Sequence, residues 1–236
     1  MRKIMLMLLA VAATINATAA DPSYTAKAKV TLRSGSEYTF DLMLSESPSH
    51  GSLNGHVMYE EGDLPYIALY VINGSEKLQS AKATSFEGVE VGLKTNGSTA
   101  YTISVSEVAG SDLLYLYDKE ELTGYALTDG ASYSFEAPAS STITDRFYLT
   151  KSVPDLGKLA TCFTGTVLQI NNNPYPGAIH VKWYNGSTNK DESVDRETSS
   201  IDFTKSQFKS STSTTVYTIE FGKGDSKHAF NVTVTH

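Results

Sequence analysis

Residues 26–32 read AKAKVTL, so that small or apolar side chains alternate with polar ones along the chain. The same alternation returns at residues 38–42 (YTFDL), 101–105 (YTISV) and 229–234 (AFNVTV). A period of two, with β-branched and aromatic residues at the apolar positions, is typical of strands that bury one face. The sequence therefore predicts an all-β fold of antiparallel strands.

Dipeptides that favour tight turns separate these runs. Asn73-Gly74, Asn96-Gly97 and Asn185-Gly186 tolerate the positive φ angles that hairpin turns require. Each pair is followed by Ser, which completes a formal N-glycosylation sequon, but turn formation is the simpler interpretation. Only residues 205–214 suggest a short helical turn outside the first 20 residues. The spacing of strands and turns favours β-sandwiches over βαβ units.

A change in pattern divides the chain. Residues 152–157 (SVPDLG) interrupt the alternation with Pro and Gly, as linkers between domains do. We therefore predict two tandem antiparallel β-sandwich domains, at residues 21–151 and 158–236.

The second predicted domain has features of an immunoglobulin-like sandwich. Cys162 and Trp183 take the places of the first Cys and the core Trp of that fold. Ile219 stands where the second Cys would fall, so the domain would lack the disulfide. Cys162 is the only cysteine of the chain, which excludes an internal disulfide. We expect it to be buried in the strand-like run 162–170.

The first 20 residues resemble a signal peptide. Arg2 and Lys3 precede an apolar stretch at residues 4–13, and small residues follow up to Ala20. The apolar stretch is about half the ~20 residues that a membrane span needs. We therefore expect a secreted protein, extracellular or periplasmic, with no membrane span after removal of the signal.

The charge of the remaining chain limits its partners. Removing Arg2 and Lys3 from 19 basic residues leaves 17 against 26 acidic ones, a net charge of −9. An acidic chain without clustered Lys and Arg is not expected to bind nucleic acid or anionic membrane surfaces.

A longer pattern suggests a family. Its segments are VEVGLK (89–94), YTIS (101–104), LYLYDK (114–119), Thr123-Gly124 and DRFYL (145–149). Together they resemble a β-sandwich module common in secreted and cell-surface proteins of Bacteroidota-type bacteria.

The resemblance covers residues 89–149 best, and about 125 residues loosely. It departs from the usual layout of the family, because the module stands first here and a second segment of about 80 residues follows it. The resemblance implies a fold and an extracellular location but no reaction.

Within this pattern, several residues are expected to stabilise the fold. Asp118 ends a strand and can accept hydrogen bonds from turn amides, while Gly124 supplies a permissive backbone. Asp145 and Arg146 could form a charge pair at a strand start. Four further residues are expected to pack together across strands: Tyr133, Phe135, Phe147 and Leu149.

Acidic residues offer candidate metal and catalytic sites. Asp191, Glu192 and Asp195 are weak candidates for calcium ligands in a loop, although the EF-hand spacing is absent. A secreted hydrolase would use loop acids from this set: Glu60, Glu61, Asp63, Asp191 and Glu192. No nucleophile elbow, phosphate loop or dinucleotide fingerprint is present, so we do not expect an enzyme or a resident cofactor.

Aromatic residues suggest binding instead. Tyr175 lies between Pro174 and Pro176, and Tyr184 follows Trp183 in a strand whose alternation should bury Trp183 and expose Tyr184. Exposed tyrosines can stack on sugar rings or anchor a protein partner. We favour a non-catalytic surface-contact protein (adhesion, scaffold or partner binding) and keep a glycan-binding module and a hydrolase as alternatives.

Two further modes of action remain open. The final strand, residues 229–235, could be a sheet edge to which a partner adds a strand. Residues 45–55, rich in Ser, Pro and Gly, read as an exposed loop that could also inhibit a protease.

Overall fold

A computed structural model describes residues 24–58, 66–222 and 227–236. These residues form eighteen β-strands, and they contain no α-helix. A single 3₁₀ turn at Ser206–Phe208 lies in the segment for which we predicted a helical turn. The predicted all-β class is therefore confirmed. The signal-like residues 1–20 lie outside the described part of the chain.

The first sheet contains eleven strands. They are β1 (Ala26–Ser34), β2 (Tyr38–Glu46), β3 (Asn54–Val57), β4 (Ala68–Asn73), β5 (Glu76–Ala83), β6 (Val89–Lys94), β7 (Ala100–Ala109), β8 (Tyr115–Asp118), β9 (Thr123–Ala126), β10 (Ser132–Glu136) and β11 (Thr142–Thr150). Ten of them follow the order β10-β7-β1-β2-β5-β4-β6-β11-β8-β9, and β3 pairs with β5. The pairing of β2 with β5 is parallel, so the sheet is mixed and not antiparallel throughout as we expected.

The two ends of this sheet meet over a common core. Tyr125 on β9 stacks on Tyr133 on β10, with ring centroids 3.3 Å apart. Phe135 on β10 meets Phe147 on β11 edge to face at 5.3 Å. The predicted packing of Tyr133, Phe135, Phe147 and Leu149 is confirmed, since all four belong to one apolar cluster.

The remaining seven strands form two smaller sheets. They are β12 (Ala160–Phe163), β13 (Val167–Asn172), β14 (Ile179–Tyr184), β15 (Asn189–Val194), β16 (Ser200–Asp202), β17 (Thr214–Phe221) and β18 (His228–Thr235). One sheet has the order β12-β13-β16, and the other has the order β15-β14-β17-β18. Both contribute to one apolar cluster, with Leu168 and Ile201 from the first and Val181, Ile219 and Val232 from the second.

Sheet membership changes between Thr150 and Ala160. Each strand pairing among the described residues lies within residues 26–150 or within residues 160–235. The large apolar clusters divide at the same place. The change falls around the predicted linker, residues 152–157.

The segment 45–55 is not the fully exposed loop that its composition predicts. Strand β2 continues to Glu46, whose side chain is fully buried. The Glu46 carboxylate accepts hydrogen bonds from Thr25 Oγ1 at 2.9 Å and Phe86 N at 2.8 Å, and it pairs with Lys151 Nζ at 2.7 Å. The composition of the segment predicted exposure wrongly, because the partners that bury the Glu46 carboxylate are distant in sequence.

The prediction that Cys162 is buried is wrong. The run 162–170 is two strands, since β12 ends at Phe163 and β13 begins at Val167. Cys162 lies exposed on β12, an edge strand of the three-stranded sheet. An edge strand has a neighbour on one side only, so its small apolar residues are covered less completely.

The fold residues of the family pattern are used differently from our expectation. Asp118 does accept hydrogen bonds from the turn amides of Glu120 and Glu121, at 2.9 and 3.2 Å. Arg146, however, pairs with Asp118 and not with Asp145, which is exposed. A side chain on Gly124 would collide with Val153, so this glycine permits close packing.

Asn73-Gly74 and Asn185-Gly186 form the expected hairpin turns, with positive φ at both glycines, whereas Asn96-Gly97 joins β6 to β7, which do not pair with each other. Asn185 Oδ1 accepts hydrogen bonds from the amides of Ser187 and Thr188, at 3.0 and 2.9 Å. Asn96 is nearly buried, and its Oδ1 accepts from the hydroxyls of Tyr101 and Ser34. These contacts support a structural role over glycosylation for both asparagine side chains.

Candidate binding surface

Strand alternation on β14 divides Trp183 from Tyr184 as predicted. Trp183 is 6% exposed and packs against Tyr217, with ring centroids 5.5 Å apart. Tyr184 points to the opposite face of the sheet and is 56% exposed. Val216 on the neighbouring strand β17 is 51% exposed on that same face. A tyrosine and a valine thus lie side by side in contact with solvent.

These two residues border a shallow depression of about 510 Å³. Its outward-facing lining consists of Lys182, Tyr184, Asn189, Asp191, Val216 and Thr218, and we call this set the Tyr184 face. The face combines an aromatic ring and a branched apolar side chain with ammonium, amide, carboxylate and hydroxyl groups. Such a mixture suits a ligand that has both an apolar surface and hydroxyl groups.

Lys182, the cation of the Tyr184 face, is paired with acidic residues on the two neighbouring strands. Lys182 Nζ lies 2.8 Å from Glu220 Oε2 and 4.0 Å from Asp191 Oδ2. The hydrogen bond from Lys182 is the main reason why the pKa of Glu220 is lowered, and the same bond raises the pKa of Lys182. Both groups therefore stay charged at neutral pH, and the face presents a nearly balanced charge.

A histidine beside this face contacts both a carboxylate and a hydroxyl group. His180 Nδ1 lies 2.9 Å from Asp191 Oδ1 and 3.4 Å from Ser193 Oγ. In a serine–histidine–acid relay, the acid and the hydroxyl use different nitrogens of the imidazole ring. Here both approach Nδ1, so the geometry is that of a surface histidine–carboxylate contact with a neighbouring hydroxyl.

Tyr175, the other candidate binding residue, occupies a different environment. Its ring is half-buried against the second apolar cluster and stacks on His228 at 5.9 Å. It precedes β14, whereas Tyr184 is the last residue of that strand. The six-residue strand separates them, so the structure does not bring the two tyrosines into one surface.

The three candidate calcium ligands do not converge. Asp191 and Glu192 lie in strand β15, not in the loop we expected, and alternation directs them to opposite faces. Asp195 follows the strand, and its carboxylate accepts a hydrogen bond from the Glu197 amide at 2.8 Å. Within the described residues there is no group of three or more His, Cys, Asp or Glu side chains that could hold a metal ion. Glu60, Glu61 and Asp63 lie outside the described residues.

Val216 is a member of the face that sequence reasoning missed. The stretch TTVYTIEF of β17 places Val216 on the same side as Thr218 and Glu220, so the signal was present in the alternation. Its proximity to Tyr184 depends on the pairing of β14 with β17, which aligns Trp183 with Tyr217. Strand order is a tertiary property that no local pattern encodes.

Comparison of the chain with protein-family models, with curated proteins and with solved structures returns no match. Over the described residues, no helix has the length and apolar character needed to cross a membrane.

Proposed function

We propose that this chain is a secreted, non-catalytic binding protein that contacts its partner through the Tyr184 face. The observation that carries the proposal is the pair of exposed apolar side chains, Tyr184 and Val216, on an otherwise polar sheet. Aromatic residues at such positions act as anchors in interfaces, because they bury a large area with few rotatable bonds. The signal-like residues 1–20 and the resemblance of residues 89–149 to a Bacteroidota-type module support a site of action outside the cytoplasm.

The architecture that we propose for this function is two β-sandwich domains, residues 21–151 and 158–236. The separation of sheets and apolar clusters around residues 152–157 supports the division. A binding surface on the second domain would then be presented by a scaffold that folds independently of the first.

We further propose that the second domain is immunoglobulin-like. Three- and four-stranded sheets that share one core support this assignment, as does Trp183 on the first strand after the connection between the sheets. Tyr217 Oη also donates to Phe208 O at 2.5 Å, like the tyrosine that secures the corner before the sixth strand in such folds.

A second candidate function is glycan binding at the Tyr184 face. A sugar ring has an apolar face that can stack on Tyr184, and its hydroxyls can bond to Asn189, Asp191 and Thr218. Because Lys182 is already paired with Glu220, the balanced charge suits a neutral sugar better than an anionic one. The hydrolase alternative is less favoured, since Asp191 and Glu192, its two candidate acids within the described residues, point to opposite faces of β15.

The test measures binding with and without the tyrosine ring. The purified chain is applied to a glycan array with calcium or with chelator. In parallel, protein partners are captured on the chain and then identified. We expect Tyr184→Ala to weaken the binding that is found by about tenfold or more, as removal of an interface anchor does. Tyr38→Ala, which removes an exposed tyrosine from the first sheet, is the matched control.

Each arm has a result that contradicts part of the proposal. Equal binding by the wild type and Tyr184→Ala would reject the Tyr184 face as the contact surface. A sugar signal that disappears in chelator would indicate that binding needs calcium, with Asp191, Glu192 and Asp195 as its candidate ligands.

A further inference from the structure

The sheets of this chain end in strands of very different character. An exposed edge strand has unpaired backbone groups that invite another strand, and proteins usually protect such edges by shortness, charge or coverage. Among the described residues, β9, β10, β12 and β16 have three to five residues each. β9 and β10 also cover each other through Tyr125 and Tyr133.

The two edges of the four-stranded sheet differ most. β15 carries Lys190, Asp191 and Glu192 among its six residues, which is a typical protection against pairing. β18 is longer, with eight residues (HAFNVTVT), and has no Lys, Arg, Asp, Glu or Pro. β18 pairs with β17 and stands at the end of its sheet. It is therefore the long, unprotected edge of the described structure.

The direction of the backbone groups on β18 follows from one hydrogen bond. His236 N donates to Ser213 O at 2.9 Å, and the two residues continue the antiparallel register of β17 and β18. Hydrogen-bonded pairs alternate with non-bonded pairs in such a ladder. The backbone groups of four residues therefore point away from β17 to the open edge: Ala229, Asn231, Thr233 and Thr235.

We propose that β18 pairs antiparallel with β18 of a second copy of this chain, around a two-fold axis at Val232. In this register the open backbone groups of the two strands face one another and form about eight hydrogen bonds. Each side chain meets one from the same face of the sheet: Ala229 with Thr235, Asn231 with Thr233, Phe230 with Val234, and Val232 with its own copy.

The side chains of β18 fit this occupant better than a charged partner. Phe230, which is half-buried, would be covered further by Val234 of the second copy. No charged side chain of β18 meets another across the two-fold axis, so the pairing carries no repulsion. The result is a continuous eight-stranded sheet, with two Tyr184 faces on the same molecule.

The pairing is tested by the oligomeric state of the purified chain. Sedimentation is measured from about 5 to about 500 µM, because one strand pair buries less than a standard interface and its dissociation constant should exceed about 1 µM. We expect a concentration-dependent dimer. Thr233→Lys, on the open edge, should raise the dissociation constant at least tenfold. Ser193→Lys, the same kind of change on the protected edge strand β15, should leave it unchanged.

The outcomes distinguish β18 from other surfaces. A dimer that is lost in Thr233→Lys and retained in Ser193→Lys supports the proposal, provided that circular dichroism shows both variants folded. A chain that stays monomeric overturns it and leaves β18 free for a strand from another protein. A dimer that survives Thr233→Lys, or that both variants abolish, also overturns it. Because binding through the Tyr184 face is measured separately, either proposal can fail alone.

Discussion

Arg146 and Asp118 form the most deeply buried ion pair among the described residues. Arg146 Nη2 lies 2.7 Å from Asp118 Oδ2, and the two side chains are 1% and 0% exposed. Arg146 Nη1 donates to Glu136 O at 2.6 Å, and the guanidinium lies 5.0 Å from the Phe135 ring. Burial alone would lower the pKa of Arg146, but hydrogen bonds and charge from Asp118 outweigh it and raise that pKa. The pair is therefore a satisfied network and not an isolated buried charge.

Removing one partner of this pair should strongly destabilise the fold. Asp118→Ala leaves the guanidinium buried without its main counter-charge and frees the turn amides of Glu120 and Glu121. We expect a loss of about 3–5 kcal/mol in the free energy of unfolding, the usual result of breaking a buried pair from one side. Urea denaturation followed by far-UV circular dichroism measures this loss. Tryptophan fluorescence is less suitable, because the only tryptophan of the chain is Trp183 on β14, which is not in the sheet that contains Asp118.

Asp145→Ala is the matched control for Asp118→Ala. Asp145 is the sequence neighbour of Arg146, carries the same carboxylate and is exposed. Its removal should change the free energy of unfolding by less than about 0.5 kcal/mol. Equal effects of the two substitutions would show that the buried pair has no special role.

At the scale of the elements, charge pairs connect neighbouring strands on the outer face of the four-stranded sheet. Glu220 on β17 accepts hydrogen bonds from Lys182 on β14 at 2.8 Å and from Lys227 at 3.3 Å. The Glu220 carboxyl is mostly shielded, while both lysines are partly exposed. The lowered pKa of Glu220 reports that the folded sheet stabilises the charged carboxylate.

This shift predicts a pH dependence with a definite sign. The folded pKa of Glu220 lies below its ordinary value of 4.5, so its contribution to stability is present above that value and is lost as the pH falls through the folded pKa. We expect Glu220→Gln to be less stable than the wild type at pH 7, by up to about 1 kcal/mol. The difference should shrink as the pH falls below 4.5 and through the folded pKa of Glu220.

Urea unfolding of both proteins at a series of pH values measures the difference. Glu192→Gln, on β15, is the comparison, because Glu192 forms no ion pair with a lysine among the described residues. A constant difference between wild type and Glu220→Gln across the whole range would contradict the linkage.

At the scale of the whole molecule, one side chain holds the C-terminal end of the connection between the two groups of strands. Asn172 Nδ2 donates to the carbonyl oxygens of Leu156 and Lys158, both at 2.9 Å. Residues 151–155, 157 and 158 are otherwise exposed. Asn172 on β13 therefore fixes the end of the connection against the sheet that follows.

Loss of this attachment should expose the connection to protease. In Asn172→Ala we expect trypsin to cut after Lys158 about tenfold faster, because two lost hydrogen bonds make local opening cheaper by about 1–2 kcal/mol. Mass spectrometry of the fragments identifies the cut and its rate. Asn171→Ala, an exposed neighbour on the same strand, should leave the rate unchanged. First cuts within the strands would contradict a weak point at the connection.

Local patterns predicted the elements well and their partners poorly. The alternation at residues 26–32, 101–105 and 229–234 predicted strands and their buried faces, because a strand's side-chain direction depends only on its own backbone. The same reasoning correctly predicted that Tyr184 is exposed and that Trp183 is buried. It failed for Cys162, Glu46 and Asp191, whose surroundings depend on which strand lies beside them.

The sequence alone determined the strand-rich class, the hairpin turns at Asn73-Gly74 and Asn185-Gly186, and the inward or outward side of each alternating residue. These properties come from backbone sterics and from a period of two, and both act over a few neighbouring residues. Only the tertiary structure decided that Arg146 pairs with Asp118, that Val216 joins Tyr184, and that β18 is an open edge. Those facts depend on strand order and register, which are set by the burial of many side chains at once and not by any single segment.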